Sequence, residues 1–243
     1  MNSIRQTPLS DTSKSETIFG RSWKGTIVAA AMISATVYAV LYFPDRDDGS
    51  GAMLGGVAAF VAAAIGFAAV KRTRVLPTRS LAAHAGLAAF ALLLGVALGT
   101  ANLLANYMLA QLDPRIGEWM LQRWAVASSW SMVVTAPIVE ELTFRLFALS
   151  GAAWLANRFI RTRRYVFPVA LIVSAILFGF LHILEPVPVT GTPAAVHTAG
   201  VLMKSTAAGI LLGWIFWRWG LPNSIACHSA ANATHIVLAP LLF

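Results

Sequence analysis

Charge is scarce in this chain: Asp, Glu, Lys and Arg make up 12% of its 243 residues, against about a quarter in ordinary soluble domains. The charges that exist are clumped between long apolar runs, and no loop is long enough to bury a core of its own, which excludes a soluble domain. Cysteine is almost absent. The single Cys227 excludes an intrachain disulfide and, inside an apolar run, reads as a small buried residue. There is no internal repeat, no low-complexity tract and no Gly-rich phosphate loop, so the sequence offers nothing for a nucleotide or redox cofactor.

What is abundant is apolar length. Hydrophobic residues reach 58% and mean hydropathy is +0.70. Runs of about 18 or more apolar residues are long enough to cross a bilayer as helices. Seven occur, near 24–44, 52–70, 81–106, 126–156, 165–184, 199–217 and 222–241. They lack period-2 alternation, so helices and not barrel strands must satisfy the backbone in lipid. The expected fold is an all-α, polytopic membrane bundle of about seven spans. Its divisions are a polar N-terminal segment at 1–22, a transmembrane scaffold at 23–117 and a catalytic transmembrane domain at 118–243.

The net charge of +8 is a topology signal. With the N-terminus in the cytoplasm, the inner segments hold Arg5, Lys14, Arg21, Lys24, Lys71, Arg72, Arg74, Arg79, Arg158, Arg161, Arg163, Arg164 and Arg218. The outer loops hold only Arg46, Arg115 and Arg123. Positive charge retained inside predicts an N-in protein with seven spans, and gives nucleic acid no role. A multi-pass protein of a bacterial inner membrane is expected, with the first run kept as an anchor because it is longer than a usual signal-peptide core; cleavage there would leave six spans. The stretch 107–125 mixes Tyr107, Trp119 and Trp124 with charges, which suits a short helix on the outer surface.

Chemistry begins at the fourth run. Ionisable groups are costly in hydrocarbon and mark function by default, yet Glu140, Glu141 and Arg145 lie in the fourth run, His182 in the fifth, and His228 with Asn232 in the seventh. Glu141 and Arg145 are four apart and share a helix face. Glu140 points about 100° away, beside a like charge in a desolvated place, a setting suited to general acid–base work. Pro137 just upstream removes a helix hydrogen bond and would open the span. His228 and Asn232 share a face and carry groups able to donate to an oxyanion. The depths agree poorly: counted from Arg158, Arg164 and Arg218, Glu140 and His182 stand roughly 27 Å from the inner surface but His228 roughly 15 Å.

The stretches APIVEELTFR (136–145), SAILFGFLH (174–182) and LPNSIACHSAANA (221–233) carry the patterns EExxxR, FxxxH and HxxxN in that order. Over roughly residues 118–240 the chain resembles the CAAX prenyl endopeptidase and bacteriocin-processing (CPBP, or Abi) family of glutamic-type intramembrane proteases. The resemblance implies that Glu140 with His182 activates a water, that His228 and Asn232 stabilise the oxyanion, and that Glu141 and Arg145 support the site. It implies a membrane-anchored peptide or protein substrate, lipidated or bearing a C-terminal sorting signal, and no cofactor. Zinc held by His182, His228 and Glu140 is the lesser alternative, since no HExxH stands in the sequence.

Other chemistries fit less well. Every Asp (Asp11, Asp45, Asp47, Asp48, Asp113) lies outside the runs, so an aspartyl dyad is excluded, and no GxSG loop supports serine chemistry. A proton-coupled transporter would use the same Glu and His residues as a relay, but the paired repeats common in carriers are missing. A non-catalytic immunity or assembly protein is the remaining alternative. His197 and His235 read as structural, Lys204 as snorkelling to the interface, and Cys227–His228 as neighbours pointing apart.

Overall fold

The computed structural model describes residues 81–126, 131–183 and 195–243. The segment 1–22, the expected spans at 24–44 and 52–70, and the loop at 185–193 lie outside the described residues. Among the described residues all regular structure is helical. The elements are α1 (Leu81–Leu112), α2 (Arg115–Val126), α3 (Ala136–Glu141), α4 (Ser150–Phe159), α5 (Val166–Ile183), α6 (Ala195–Trp219) and α7 (Leu221–Leu242). Four helical stretches are long and apolar enough to cross a membrane: Gly86–Leu112, Arg163–Ile183, Ala195–Trp219 and Leu221–Leu242. They coincide with the third, fifth, sixth and seventh runs, and the chain is an integral membrane protein.

The fourth run departs from a plain α-helix. Residues Ser131–Thr135 and Leu142–Leu149 are π-helical, on either side of α3, and α4 follows directly. Pro137 supplies a cause for the first wide turn. It has no N–H for the carbonyl four residues back, and its ring crowds that carbonyl, so the chain before it takes the broader i→i+5 turn. Serine hydroxyls add donors to this stretch: Ser150 Oγ donates to the Arg145 carbonyl at 3.1 Å, and Ser174 Oγ of α5 to the Phe144 carbonyl at 2.8 Å.

The region 107–125 is resolved into the end of α1 and all of α2. Pro114 stops α1, and Asp113 turns the corner by accepting the Arg115 backbone N–H at 3.2 Å and its guanidinium at 2.9 and 2.7 Å. That guanidinium holds the Asp113 carboxyl below the usual carboxylate range. At 12 residues α2 is about 18 Å long, too short to cross. It buries Ile116, Trp119 and Met120, the last two against Leu103 of α1 and Ala239 of α7, while Arg115 and Glu118 are exposed.

In lipid, helices associate through close packing of small residues, and two pairs here do so. A methyl group added at Gly99 of α1 would stand 2.6 Å from the Ala231 carbonyl and 2.8 Å from Thr234 Cβ of α7, and one at Gly95 would overlap the Cys227 carbonyl. α6 lies as closely on α5 at Gly209, where an added methyl would be 3.0 Å from Ala175 Cα. α6 and α7 are joined by Gly220 alone, at φ 89°, a left-handed conformation open to glycine. This one-residue reversal lets the first turn of α7 reach back along α6, where Ser224 Oγ comes within 2.9 Å of the Leu212 carbonyl.

Candidate active site

Glu141 and Arg145 form a fully buried pair, each with 0% exposure. Their spacing on one helix face delivers a forked contact, Arg145 Nε to Glu141 Oε2 at 2.9 Å and Nη2 to Oε1 at 3.3 Å. Such a pair must satisfy its remaining atoms, because desolvation otherwise outweighs the attraction. α7 supplies the partners. Ser224 Oγ donates to Glu141 Oε2, and His228 Nδ1 lies 3.1 Å from Glu141 Oε1. The Arg145 guanidinium also rests 5.1 Å from the Phe178 ring centre, leaving Nη1 without a hydrogen-bond partner among the described residues.

Glu140 faces elsewhere. Its Oε2 stands 3.8 Å from His182 Nε2 and 3.7 Å from His228 Nε2. Both separations exceed hydrogen-bond length, so Glu140 Oε2 faces both imidazoles without a direct hydrogen bond to either. Each imidazole is oriented from its other nitrogen. His182 Nδ1 lies 2.8 Å from the Phe178 carbonyl, and a carbonyl can only accept, so that nitrogen carries the proton. His228 Nδ1 meets the Glu141 carboxylate and, with that group ionised by Arg145, is likewise the donor. Both rings therefore turn Nε2 toward Glu140. The Glu140 side chain keeps 20% exposure, against 18% for His182 and 9% for His228, while the oxygen that faces them, Oε2, is buried.

The sequence-based depths placed His228 apart from Glu140 and His182, yet the three meet. The π-helical Leu142–Leu149, with more residues per turn, shortens the climb from Arg158 to Glu140.

Asn232 is one turn beyond His228 but looks to a different partner. Its Nδ2 donates to the Met132 carbonyl at 2.8 Å, tying α7 to the wide turn that precedes Glu140 and committing one of its two N–H groups. Phe178 is central to the packing: its ring lies 4.4 Å from that of His182, 6.0 Å from His228 and 5.0 Å from Phe144. Ser224 was not among the residues singled out from the sequence. Its spacing was visible, four residues before His228 and eight before Asn232 on the same face of α7, but a serine in an apolar run carries no signal of its own.

Other expectations resolve as follows. Cys227 is buried with Ala91, Leu212 and Ile215. His197 is buried against Trp119, ring centres 4.9 Å apart, and His235 is buried in α7. Lys204 does not snorkel: its Nζ donates to Asn106 Oδ1 at 2.5 Å, and Asn106 is 2% exposed. The pull of a buried amide acceptor replaces the interface. Among the described residues no group of three or more His, Cys, Asp or Glu side chains is picked out as able to hold a metal ion.

Residues 122–234 match the family model described as type II CAAX prenyl endopeptidase Rce1-like, a span that contains all six singled-out residues. Comparison with curated proteins and with solved structures gives no significant match. Three motifs in order, four apolar spanning helices and this match support the CAAX protease (CPBP) family for the region 122–234.

Proposed function

We propose that this chain is a glutamic-type intramembrane endopeptidase in which Glu140 and His182 activate a water molecule. One observation carries the reading: Glu140 Oε2 lies 3.8 and 3.7 Å from two imidazole Nε2 atoms whose other nitrogens are already engaged. An oxygen between Glu140 and His182 would be about 2.8 Å from each, ordinary hydrogen-bond length. Glu140 takes a proton from the water as its oxygen bonds to the scissile carbonyl carbon. The carbonyl oxygen becomes the oxyanion of a tetrahedral intermediate. That intermediate collapses as the C–N bond breaks, and the proton on Glu140 passes to the departing amine. The net reaction is addition of one water across one peptide bond.

His228 and Asn232 are the proposed oxyanion donors. Because His228 Nδ1–H is directed to Glu141, Nε2 can donate only when the ring is doubly protonated, and the Glu141 carboxylate then supplies its counter-charge. Asn232 contributes the N–H not held by Met132. Arg145 keeps Glu141 ionised for this task. The substrate is a membrane-anchored peptide or protein, lipidated or bearing a C-terminal sorting signal. The host membrane is a bacterial inner membrane crossed seven times with the N-terminus inside, in keeping with the distribution of basic residues.

The test is cleavage of two quenched fluorescent probes by the full-length protein in liposomes. One probe ends in a farnesylated Cys-aliphatic-aliphatic-X box, the other is a transmembrane-anchored leader peptide. Glu140→Gln should lower the rate by about 100-fold or more, with wild type indifferent to a chelator. Inhibition by the chelator would move the mechanism to a metal. Equal rates for wild type and Glu140→Gln would overturn the assignment. Failure of wild type to cleave either probe would favour the non-catalytic immunity or assembly role.

A further inference from the structure

We infer that Ser224 is a positioning residue, acting through Glu141 to present His228 Nε2 to the reacting position; the inference deepens the proteolytic reading and rests on it for its catalytic consequence. Ser224 is fully buried, on α7 one turn before His228. Its hydroxyl bonds the same Glu141 carboxylate that His228 bonds, but through the other oxygen: Ser224 at Oε2, His228 Nδ1 at Oε1. Glu141 is thus gripped by two successive turns of α7, with Arg145 spanning both oxygens from its own helix. A carboxylate held at only one oxygen by α7 would be free to pivot about the Arg145 contact, and the His228 ring would pivot with it.

The hydroxyl is itself anchored. Ser224 Oγ lies 2.9 Å from the Leu212 carbonyl of α6 as well as against Glu141. It has one proton for two acceptors, and the ionised carboxylate is the stronger of them, while the Leu212 contact fixes where the oxygen sits. Ser224 therefore sets the spacing of α6, α7 and the glutamate-bearing helix at one point. The charged and titratable groups facing His228 across this point are Glu140, Glu141 and Arg145 from the glutamate-bearing helix and its continuation, with His182 of α5 across Glu140. Removing the hydroxyl leaves these charges in place and takes away only the constraint on Glu141.

The experiment separates positioning from general stability. Full-length protein labelled with 15N-histidine is reconstituted in liposomes, and solid-state NMR reads imidazole tautomers, with His228 assigned by its loss in His228→Gln. Wild type should show His228 protonated at Nδ1 whenever the ring is neutral. Ser224→Ala should yield a mixture of the two neutral tautomers. Ser174→Ala, which removes an equally buried serine hydroxyl bonded to a backbone carbonyl, should leave the His228 signal as in wild type. On the cleavable probe, Ser224→Ala should lower kcat by about tenfold or more with KM little changed, since roughly 1 Å of misplacement can cost on the order of 100-fold. An unaltered His228 tautomer in Ser224→Ala would overturn the inference, as would the same mixture in Ser174→Ala. A wild type that cleaves nothing sinks the proteolytic reading alone, and the tautomer signals still decide whether Ser224 orients His228.

Discussion

Replacing Arg145 by Met tests whether the buried ion pair is the keystone of the site. The side chain is fully buried, and its guanidinium donates twice to Glu141 at 2.9 and 3.3 Å while facing the Phe178 ring. Met fills much of the space but strands a carboxylate with 0% exposure. Breaking one partner of a buried pair costs about 3–5 kcal/mol. Ser224 and His228 still donate to Glu141, so the lower end, about 3 kcal/mol, is expected. With about 2–4 °C per kcal/mol for a chain of this size, thermal unfolding in detergent, followed by circular dichroism, should begin about 10 °C lower. The double variant Glu141→Gln/Arg145→Met removes the stranded charge while keeping one acceptor for His228, and its amide N–H can donate to Ser224 Oγ, whose proton turns to the Leu212 carbonyl; it should recover at least half of the loss. If Arg145→Met unfolds within about 2 °C of wild type, or if the double variant is no more stable than the single one, the pair is not structurally decisive and the reasoning fails.

Three further outcomes follow from particular contacts. Pro137→Ala restores a backbone donor and should draw Ser131–Thr135 toward an α-helical turn, rotating Glu140 against the two imidazoles; kcat on the fluorescent probe should fall at least tenfold, on the order expected for misplacement of about 1 Å, with no loss of melting temperature. Gly95→Val drives a side chain into the Cys227 carbonyl, an overpacking costing about 1–3 kcal/mol or more, seen as a lower melting temperature and reduced yield of folded protein. The Asp113–Arg115 contact at the α1–α2 corner holds the Asp113 carboxyl below its usual range, so its contribution is present above the unfolded value near 3.8 and is lost as pH falls through the lower, folded value. The hydrogen-exchange protection factors at the start of α2 should fall on such acidification in wild type, and Asp113→Asn should abolish that pH dependence of protection.

The motifs were readable because each occupies one helix, where spacing alone dictates neighbours. Four-residue spacing put Glu141 beside Arg145 and turned Glu140 away, and that is how they stand. Apolar run length likewise marked the four described spanning helices, since crossing hydrocarbon demands about 20 apolar residues whatever the packing. The short helix α2 was visible as a patch of aromatics and charges, although its corner at Asp113 required the contact with Arg115 to be seen.

Tertiary structure decided the rest. Depth counting set His228 apart from Glu140, because a count assumes a uniform rise per residue. The π-helical turns reduce that separation. Lys204 was assigned to the interface because proximity of Asn106, 98 positions away, cannot be read from local pattern. Ser224 stayed silent for the same reason: a hydroxyl in an apolar run acquires meaning only from the carboxylate that another helix brings to it. The sequence by itself determined which side chains must be hidden in the membrane and on which faces, because backbone geometry and hydrocarbon thickness act locally along the chain. Which atoms of those side chains confront one another, and which nitrogen of each imidazole is turned toward Glu140, was decided only by helices packing together, because hydrogen-bond partners between helices depend on tilt, register and turn width that no single run encodes.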